Sequence, residues 1–150
     1  MVSKTLVNLF LSNKHIAVVG ASRNGRAFGN SVIAELVKNG CTVYPVNPNS
    51  SSISGLKAVS HIKNLPDDVH ALFVALKPAG TLEVVKEAIV KGIKTIWIQQ
   101  QSESPEALKL CSETETDVVY GQCIIMHLQN ISFPHKAHRF IKKITGKLPV

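Results

Sequence analysis

The segment from Ile16 to Asn39 constrains the fold of this chain more than any other. It begins with a continuous apolar run, Ile16 to Val19, which is typical of a strand buried on both faces. Gly20 follows at once, and Gly29 precedes a stretch with apolar residues at helical spacing. A strand, a glycine loop and a helix in this order begin a βαβ unit, and the amides at such a helix start attract anions. We therefore expect a parallel sheet whose first loop binds an anionic group.

The rest of the chain continues the alternation of strands and helices. Pro78 suits the first turn of one helix, and Ser104 with Pro105 suits the start of another. The pattern predicts strands at 14–20, 41–46, 70–76, 93–98 and 117–120, and helices at 5–11, 30–39, 78–91 and from 104 onward. This order predicts an α/β fold, a Rossmann-like, doubly wound and mainly parallel five-stranded sheet with helices on both faces. Residues 1–128 would form this domain, and 129–150 a basic, helical C-terminal tail packed on it.

The charges of the chain are unevenly distributed. Residues 1–66 contain seven Lys or Arg and a single acid, Glu35, whereas residues 67–129 contain five bases and nine acids, and 130–150 contain five bases and no acid. A binder of nucleic acid would not alternate in this way, so we expect no nucleic-acid partner. No apolar stretch is long enough to span a membrane, and the three cysteines have no disulfide or zinc spacing. We therefore expect a cytoplasmic protein without a membrane partner or a bound metal.

The missing carboxylates in the first third of the chain help to choose among nucleotide ligands. An NAD site usually has an Asp or Glu after the second strand, where it binds the ribose hydroxyls. Residues 36–66 contain neither, so NAD is disfavoured as the ligand. NADP is less disfavoured, since Arg23 or Arg26 could bind its extra phosphate. Asn47, Asn49 and Ser50 can donate hydrogen bonds to ribose or phosphate without repelling it. An acid-poor pocket for an additional anionic group points toward coenzyme A.

Several segments together resemble a known family. They are IAVVGAS at 16–22, VYPVNPN at 43–49, Pro66-Asp67, Trp97 to Gln99, and Cys123-Ile124 followed by His127. The chain resembles the bacterial CoA-binding proteins with a Rossmann-type fold, which are related to the N-terminal domain of the succinyl-CoA synthetase alpha subunit. The resemblance covers roughly residues 3–128.

The resemblance implies a distribution of ligand contacts over four loops. The first glycine loop would meet the pyrophosphate, the second loop the adenosine and its 3′-phosphate, the third the adenine and ribose, and the fourth the pantetheine arm. The residues assigned to cofactor binding are Gly20, Ala21, Ser22, Arg23, Arg26, Gly29, Asn30, Val46, Asn47, Pro48, Asn49, Ser50, Leu76, Lys77, Pro78, Ile98, Gln99 and Gln101.

The expected function is binding of coenzyme A or an acyl-CoA by a non-catalytic sensor, carrier or regulatory module. No nucleophile with a paired base can be identified from the spacing, so we assign no catalytic residue and leave open whether the protein is an enzyme. Two alternatives remain: an NADP-linked oxidoreductase or redox sensor, and a protein-interaction module with a vestigial nucleotide pocket. The sequence also leaves open a homo-oligomer or a protein partner.

Overall fold

A five-stranded parallel sheet forms the centre of the protein, and the computed structural model describes residues 3–128 of the chain. Its strands are β1 (His15–Val19), β2 (Thr42–Val46), β5 (Ala71–Val74), β6 (Thr95–Gln99) and β7 (Asp117–Gln122), in the spatial order β2-β1-β5-β6-β7. The helices are α1 (Lys4–Leu11), α2 (Phe28–Lys38), α3 (Pro78–Lys91) and α4 (Pro105–Glu113). A two-stranded hairpin, β3 (Ser52–Ile53) with β4 (Leu56–Lys57), and 3-10 turns at Ile62–Asn64 and Ile124–His127 complete the described part.

Both faces of the sheet are buried because alternate side chains of each strand pack against different helices. Ile16 and Val18 of β1 belong to the same apolar cluster as residues of α1 and α2, whereas Ala17 and Val19 belong to the cluster that includes α3 and α4. Trp97 lies in the first cluster and is fully buried beside Phe10, with ring centroids 5.4 Å apart. Successive side chains of a strand point to opposite faces of the sheet, and both faces are covered by helices. This explains the unbroken apolar runs of the sequence, since neither face of a strand meets water.

The fold confirms the predicted class, a doubly wound α/β sheet with helices on both faces. Helix α3 has the predicted bounds, with Pro78 in its first turn and Gly92 in the left-handed conformation that ends it. Helix α2 begins at Phe28, two residues before the predicted start. The β3–β4 hairpin was not predicted, because strands of two residues are too short to show a periodic pattern. The predicted helical tail lies outside the described residues.

Among residues 3–128, no helix is long and apolar enough to cross a membrane.

Candidate functional site

The order of the strands reverses at β1, which lies between β2 and β5. The chain therefore leaves β1 toward α2 on one face of the sheet, and leaves β5 toward α3 on the other face. In sheets of this kind a crevice opens beyond the carboxyl ends of the two strands where the order reverses. The loops after β1, β2, β5 and β6 begin at the carboxyl edge of the sheet. These loops contain or adjoin all the residues predicted to bind the cofactor.

Gly20 and Gly29 bring the first loop, α2 and β5 close together. Gly20 has a φ of 117°, and a Cβ there would overlap the carbonyl oxygen of Ala75. A Cβ at Gly29 would lie 2.6 Å from the carbonyl carbon and oxygen of Gly20 and 2.7 Å from the amide nitrogen of Ala21. The absent side chain of Gly29 thus faces main chain of the protein. Because neither glycine has a side chain, the first turn of α2 packs directly against the main chain of the loop after β1.

Asn30 holds the glycine loop in one shape. Its Oδ1 accepts a hydrogen bond from the amide of Ser22 at 2.9 Å, and its Nδ2 donates to the carbonyl oxygen of Ser22 at 3.0 Å. The same Nδ2 donates to Oγ of Ser54 in the β3–β4 hairpin at 2.9 Å. Asn30 is only 7% exposed, so its carboxamide is used by the protein itself. We conclude that this predicted ligand-binding side chain shapes the loop.

Asn47 connects the loop after β2 to the loop after β1. Its Nδ2 donates to the carbonyl oxygen of Ala21 at 3.1 Å, and its Oδ1 accepts from the amide of Asn49 at 2.8 Å. The exposed residues around it, Pro48 and Asn49, leave the surface of this turn open to solvent. Val46, by contrast, is 9% exposed and belongs to the core. The two loops therefore form one connected surface at the edge of the sheet.

The helices that begin at the strand reversal lack side-chain caps. No side chain caps the first amides of α2 or α3, and neither first turn contains an acid. Two other helices differ: Ser3 caps α1 and Ser104 caps α4, and α4 also has Glu106 in its first turn. Uncapped amides together with the helix dipole favour an anion at the starts of α2 and α3.

Three cations surround these helix starts. Arg23 and Arg26 are exposed on the first loop, and Lys77 is exposed at the start of α3. The segments 20–27, 47–50, 75–78 and 99–102 contain no Asp, Glu, His or Cys. A phosphate bound by these segments would therefore meet cations and amides, and the one acid of the four loops, Glu103, lies just beyond the last segment.

A cleft of about 500 Å³ opens beside the same helix starts, at the carboxyl ends of β5 and β6. It contains five of the predicted residues, Leu76, Lys77, Pro78, Gln99 and Gln101. Ile98, also predicted, is fully buried in the core, so its side chain does not reach the cleft. The other lining residues, which the sequence reasoning missed, are Phe28, Ala75, Gln100 and Ser102.

Phe28 is the most informative of the missed residues. It is the first residue of α2 and is 41% exposed, at the junction of the glycine loop and the cleft. Its position just before the predicted helix start can be read from the sequence, but its exposure and its place in the cleft are visible only in the folded chain.

The four loop segments of the site offer binding groups, and none of these segments contains an acid–base pair. Within residues 3–128, no cluster of three His, Cys, Asp or Glu side chains could hold a metal ion. His15 lies 3.7 Å from a carboxylate oxygen of Asp68, but His15 begins β1, so this pair is at the opposite edge of the sheet. Burial raises the pKa of the Cys111 thiol to about 11, and Cys111 is a residue of α4 whose side chain lies in the core. The arrangement can hold a phosphorylated ligand.

These features define a nucleotide-binding α/β domain, and comparisons with known proteins identify its family. The chain belongs to the CoA binding domain family, whose model matches residues 14–129. It is similar to the acetate–CoA ligase (ADP-forming) II of Archaeoglobus fulgidus, with 37% identity over 98 residues. That match covers 64% of this chain and only 15% of the ligase.

Relatives of similar size are also found. The uncharacterized protein YneT of Bacillus subtilis is 28% identical over 112 residues, which cover 75% of this chain and 83% of YneT. The solved structure of a conserved hypothetical protein from Pyrococcus furiosus superposes with a TM-score of 0.71 at 37% identity, covering 74% of this chain and 96% of that one. The family resemblance predicted from the sequence is thereby confirmed. The residue-by-residue placement of the cofactor stays a prediction.

Proposed function

We propose that this protein binds coenzyme A or an acyl-CoA at the strand reversal and acts as a non-catalytic sensor, carrier or regulatory module. One observation carries the proposal: two uncapped helix starts and three exposed cations converge at an edge whose four loops contain a single acid, Glu103. Coenzyme A carries a pyrophosphate and a 3′-phosphate, so it suits an edge with several separate anion-binding groups. Membership of the CoA binding domain family supports the same ligand.

The groups that the site offers support a non-catalytic role. Its polar side chains are amides, hydroxyls and cations, and the segments 20–27, 47–50, 75–78 and 99–102 contain no carboxylate, imidazole or thiol. Acyl transfer needs a nucleophile and a base within hydrogen-bond reach of each other. The ligase of Archaeoglobus fulgidus is much longer than this chain, so an activity belonging to its other parts is not transferred here.

Isothermal titration calorimetry with CoA, dephospho-CoA, NAD and NADP tests the ligand. We expect CoA to bind about fivefold more tightly than dephospho-CoA, since the 3′-phosphate meets an exposed cation worth about 1 kcal/mol. Equal affinity for the two would contradict the proposed phosphate contacts. Tighter binding of NADP than of CoA would favour an oxidoreductase or redox sensor, and binding of none of the four would favour an interaction module.

A pair of variants localises the contact. Arg26→Gln removes a cation beside the start of α2, whereas Lys38→Gln removes one at the opposite end of the same helix. We expect the first to weaken CoA binding about threefold to fivefold, with a smaller dependence on salt, and the second to leave it unchanged. Equal losses in both variants would mean that net charge, and not the proposed site, attracts the ligand.

A further inference from the structure

Glu35 is a buried carboxylate on α2, and it is the only acid among residues 1–66. It is 7% exposed, and no residue between 3 and 128 donates a hydrogen bond to its Oε2. None of the ion pairs in this part of the chain includes it. Burying a carboxylate is costly unless a cation or hydrogen-bond donors meet it. Glu35 therefore indicates a partner that residues 3–128 do not supply.

The position of Glu35 on α2 shows which flank of the helix this partner approaches. Asn30 lies on one flank, where it donates to Ser54 of the β3–β4 hairpin. Phe28 lies on the other flank, where it lines the cleft together with Leu76. Because a helix turns by about 100° per residue, residues seven positions apart lie in line, and Glu35 is seven positions after Phe28. The partner therefore approaches from the flank that faces away from the hairpin.

The described chain ends close to this flank. Asn39, four residues after Glu35, lines a cavity of about 300 Å³ together with Leu128. Leu128 is the last described residue, and it is 4% exposed. Residues 129–150 therefore begin at the end of α2, about one helical turn along the helix from Glu35.

The segment that follows has a charge complementary to that of Glu35. Residues 130–150 contain five bases and no acid, and Arg139 is the only arginine among them. Because a guanidinium is planar and weakly hydrated, arginine suits a buried carboxylate better than lysine does. From Leu128 to Arg139 the chain covers about 16 Å as a helix and more when it is extended. Glu35 lies only about 6 Å along α2 from Asn39, so the segment is long enough to reach it.

We propose that the basic segment 130–150 packs along the flank of α2 that contains Phe28 and Glu35, and that Arg139 pairs with the Glu35 carboxylate. Phe28 is 41% exposed and offers an apolar contact to Phe140, the neighbour of Arg139 in the sequence. The family match ends at residue 129, so this contact lies outside the matched domain. The ion pair holds a second basic element against the helix whose first turn borders the cleft.

Urea denaturation of Arg139→Gln in two backgrounds tests the ion pair. In the wild-type background this variant leaves Glu35 buried without a cation, so we expect the equilibrium constant for unfolding to rise at least about tenfold. In the Glu35→Gln background no carboxylate is left, and we expect a rise of less than about threefold. Lys147→Gln removes an equal charge from the same segment and is the matched control, with an expected change within about twofold in both backgrounds.

The effect of Glu35→Gln by itself is a second criterion, because its sign depends on the partner. If Arg139 is paired with Glu35, the neutral amide loses the ion pair and the unfolding constant rises. If the carboxylate has no cation, its replacement by an amide lowers the unfolding constant. The inference is overturned if Glu35→Gln stabilises the protein, or if Arg139→Gln has the same effect in both backgrounds. It is overturned too if Lys147→Gln depends on Glu35 as strongly as Arg139→Gln does.

A further measurement uses the protein without any substitution. In ¹⁵N-labelled protein, the Nε–H of Arg139 should exchange slowly with water and show nuclear Overhauser contacts to protons of α2 around Glu35. Rapid exchange without such contacts would refute the ion pair. None of these measurements needs a ligand, so the ion pair and the binding of CoA are tested independently of each other.

Discussion

Replacing Gly29 by alanine sets two opposing effects against each other in the same helix. Alanine is favoured over glycine inside a helix by about 1 kcal/mol, so propensity alone predicts a more stable protein. The structure predicts the reverse. A Cβ at Gly29 would lie 2.6 to 2.7 Å from three main-chain atoms of Gly20 and Ala21. Because these atoms belong to the end of β1 and the glycine loop, they cannot move without disturbing the sheet.

The magnitude follows from the two terms. Forcing extra volume into a packed position costs about 1–3 kcal/mol, and the upper end applies where the neighbours are backbone. Subtracting the helical gain leaves a net loss of about 2 kcal/mol for Gly29→Ala. Gly80→Ala is the matched control, since a Cβ there would meet only the Leu76 side chain, at 3.4 Å or more. This control should be neutral or stabilised by up to about 1 kcal/mol.

Urea denaturation followed by Trp97 fluorescence measures both variants, because this single tryptophan is fully buried. We expect the urea concentration at the unfolding midpoint to fall for Gly29→Ala and to rise or stay the same for Gly80→Ala. The dependence of the unfolding free energy on urea concentration should not change in either variant. If Gly29→Ala were more stable than wild type, the start of α2 could not pack against the main chain of Gly20 and Ala21 as described. Binding of CoA should weaken along with stability only in Gly29→Ala.

Two further predictions concern the stability of the fold. Asn30→Ala removes the hydrogen bonds to Ser22 and Ser54 and should cost about 2 kcal/mol in the same urea assay, whereas truncating the exposed Asn49 should cost less than about 0.5 kcal/mol. For Cys111, folding raises the thiol pKa from 9.0 to about 11, so the unfolded chain loses its proton first. Between pH 9 and pH 11 the wild type should therefore lose up to about 2 kcal/mol more stability than Cys111→Ala. Parallel pH profiles of the two proteins would show that this thiol is not buried in solution.

The sequence predicted the elements of this fold well because each one has a local cause. The apolar run at Ile16 to Val19 is a strand because its alternate residues face two helical layers, and Pro78 and Gly92 mark the ends of α3 through their own backbone preferences. The absence of acids around the first loop likewise needs no structure to be seen. The proposed ligand class and the edge of the sheet proposed to carry the site followed from these local patterns.

The uses of individual side chains depended on tertiary structure. Asn30 and Asn47 were both assigned to cofactor binding. In the folded chain Asn30 bonds Ser22 and Ser54, and Asn47 bonds Ala21 as well as its neighbour Asn49. The orientation of Gln99 depends on Ile124, 25 residues later in the chain. A sequence shows which groups a chain possesses, and their hydrogen bonds are decided only when distant segments are brought together. For this protein, composition and pattern determined the fold and the kind of pocket, and packing decided which polar groups are left for a ligand.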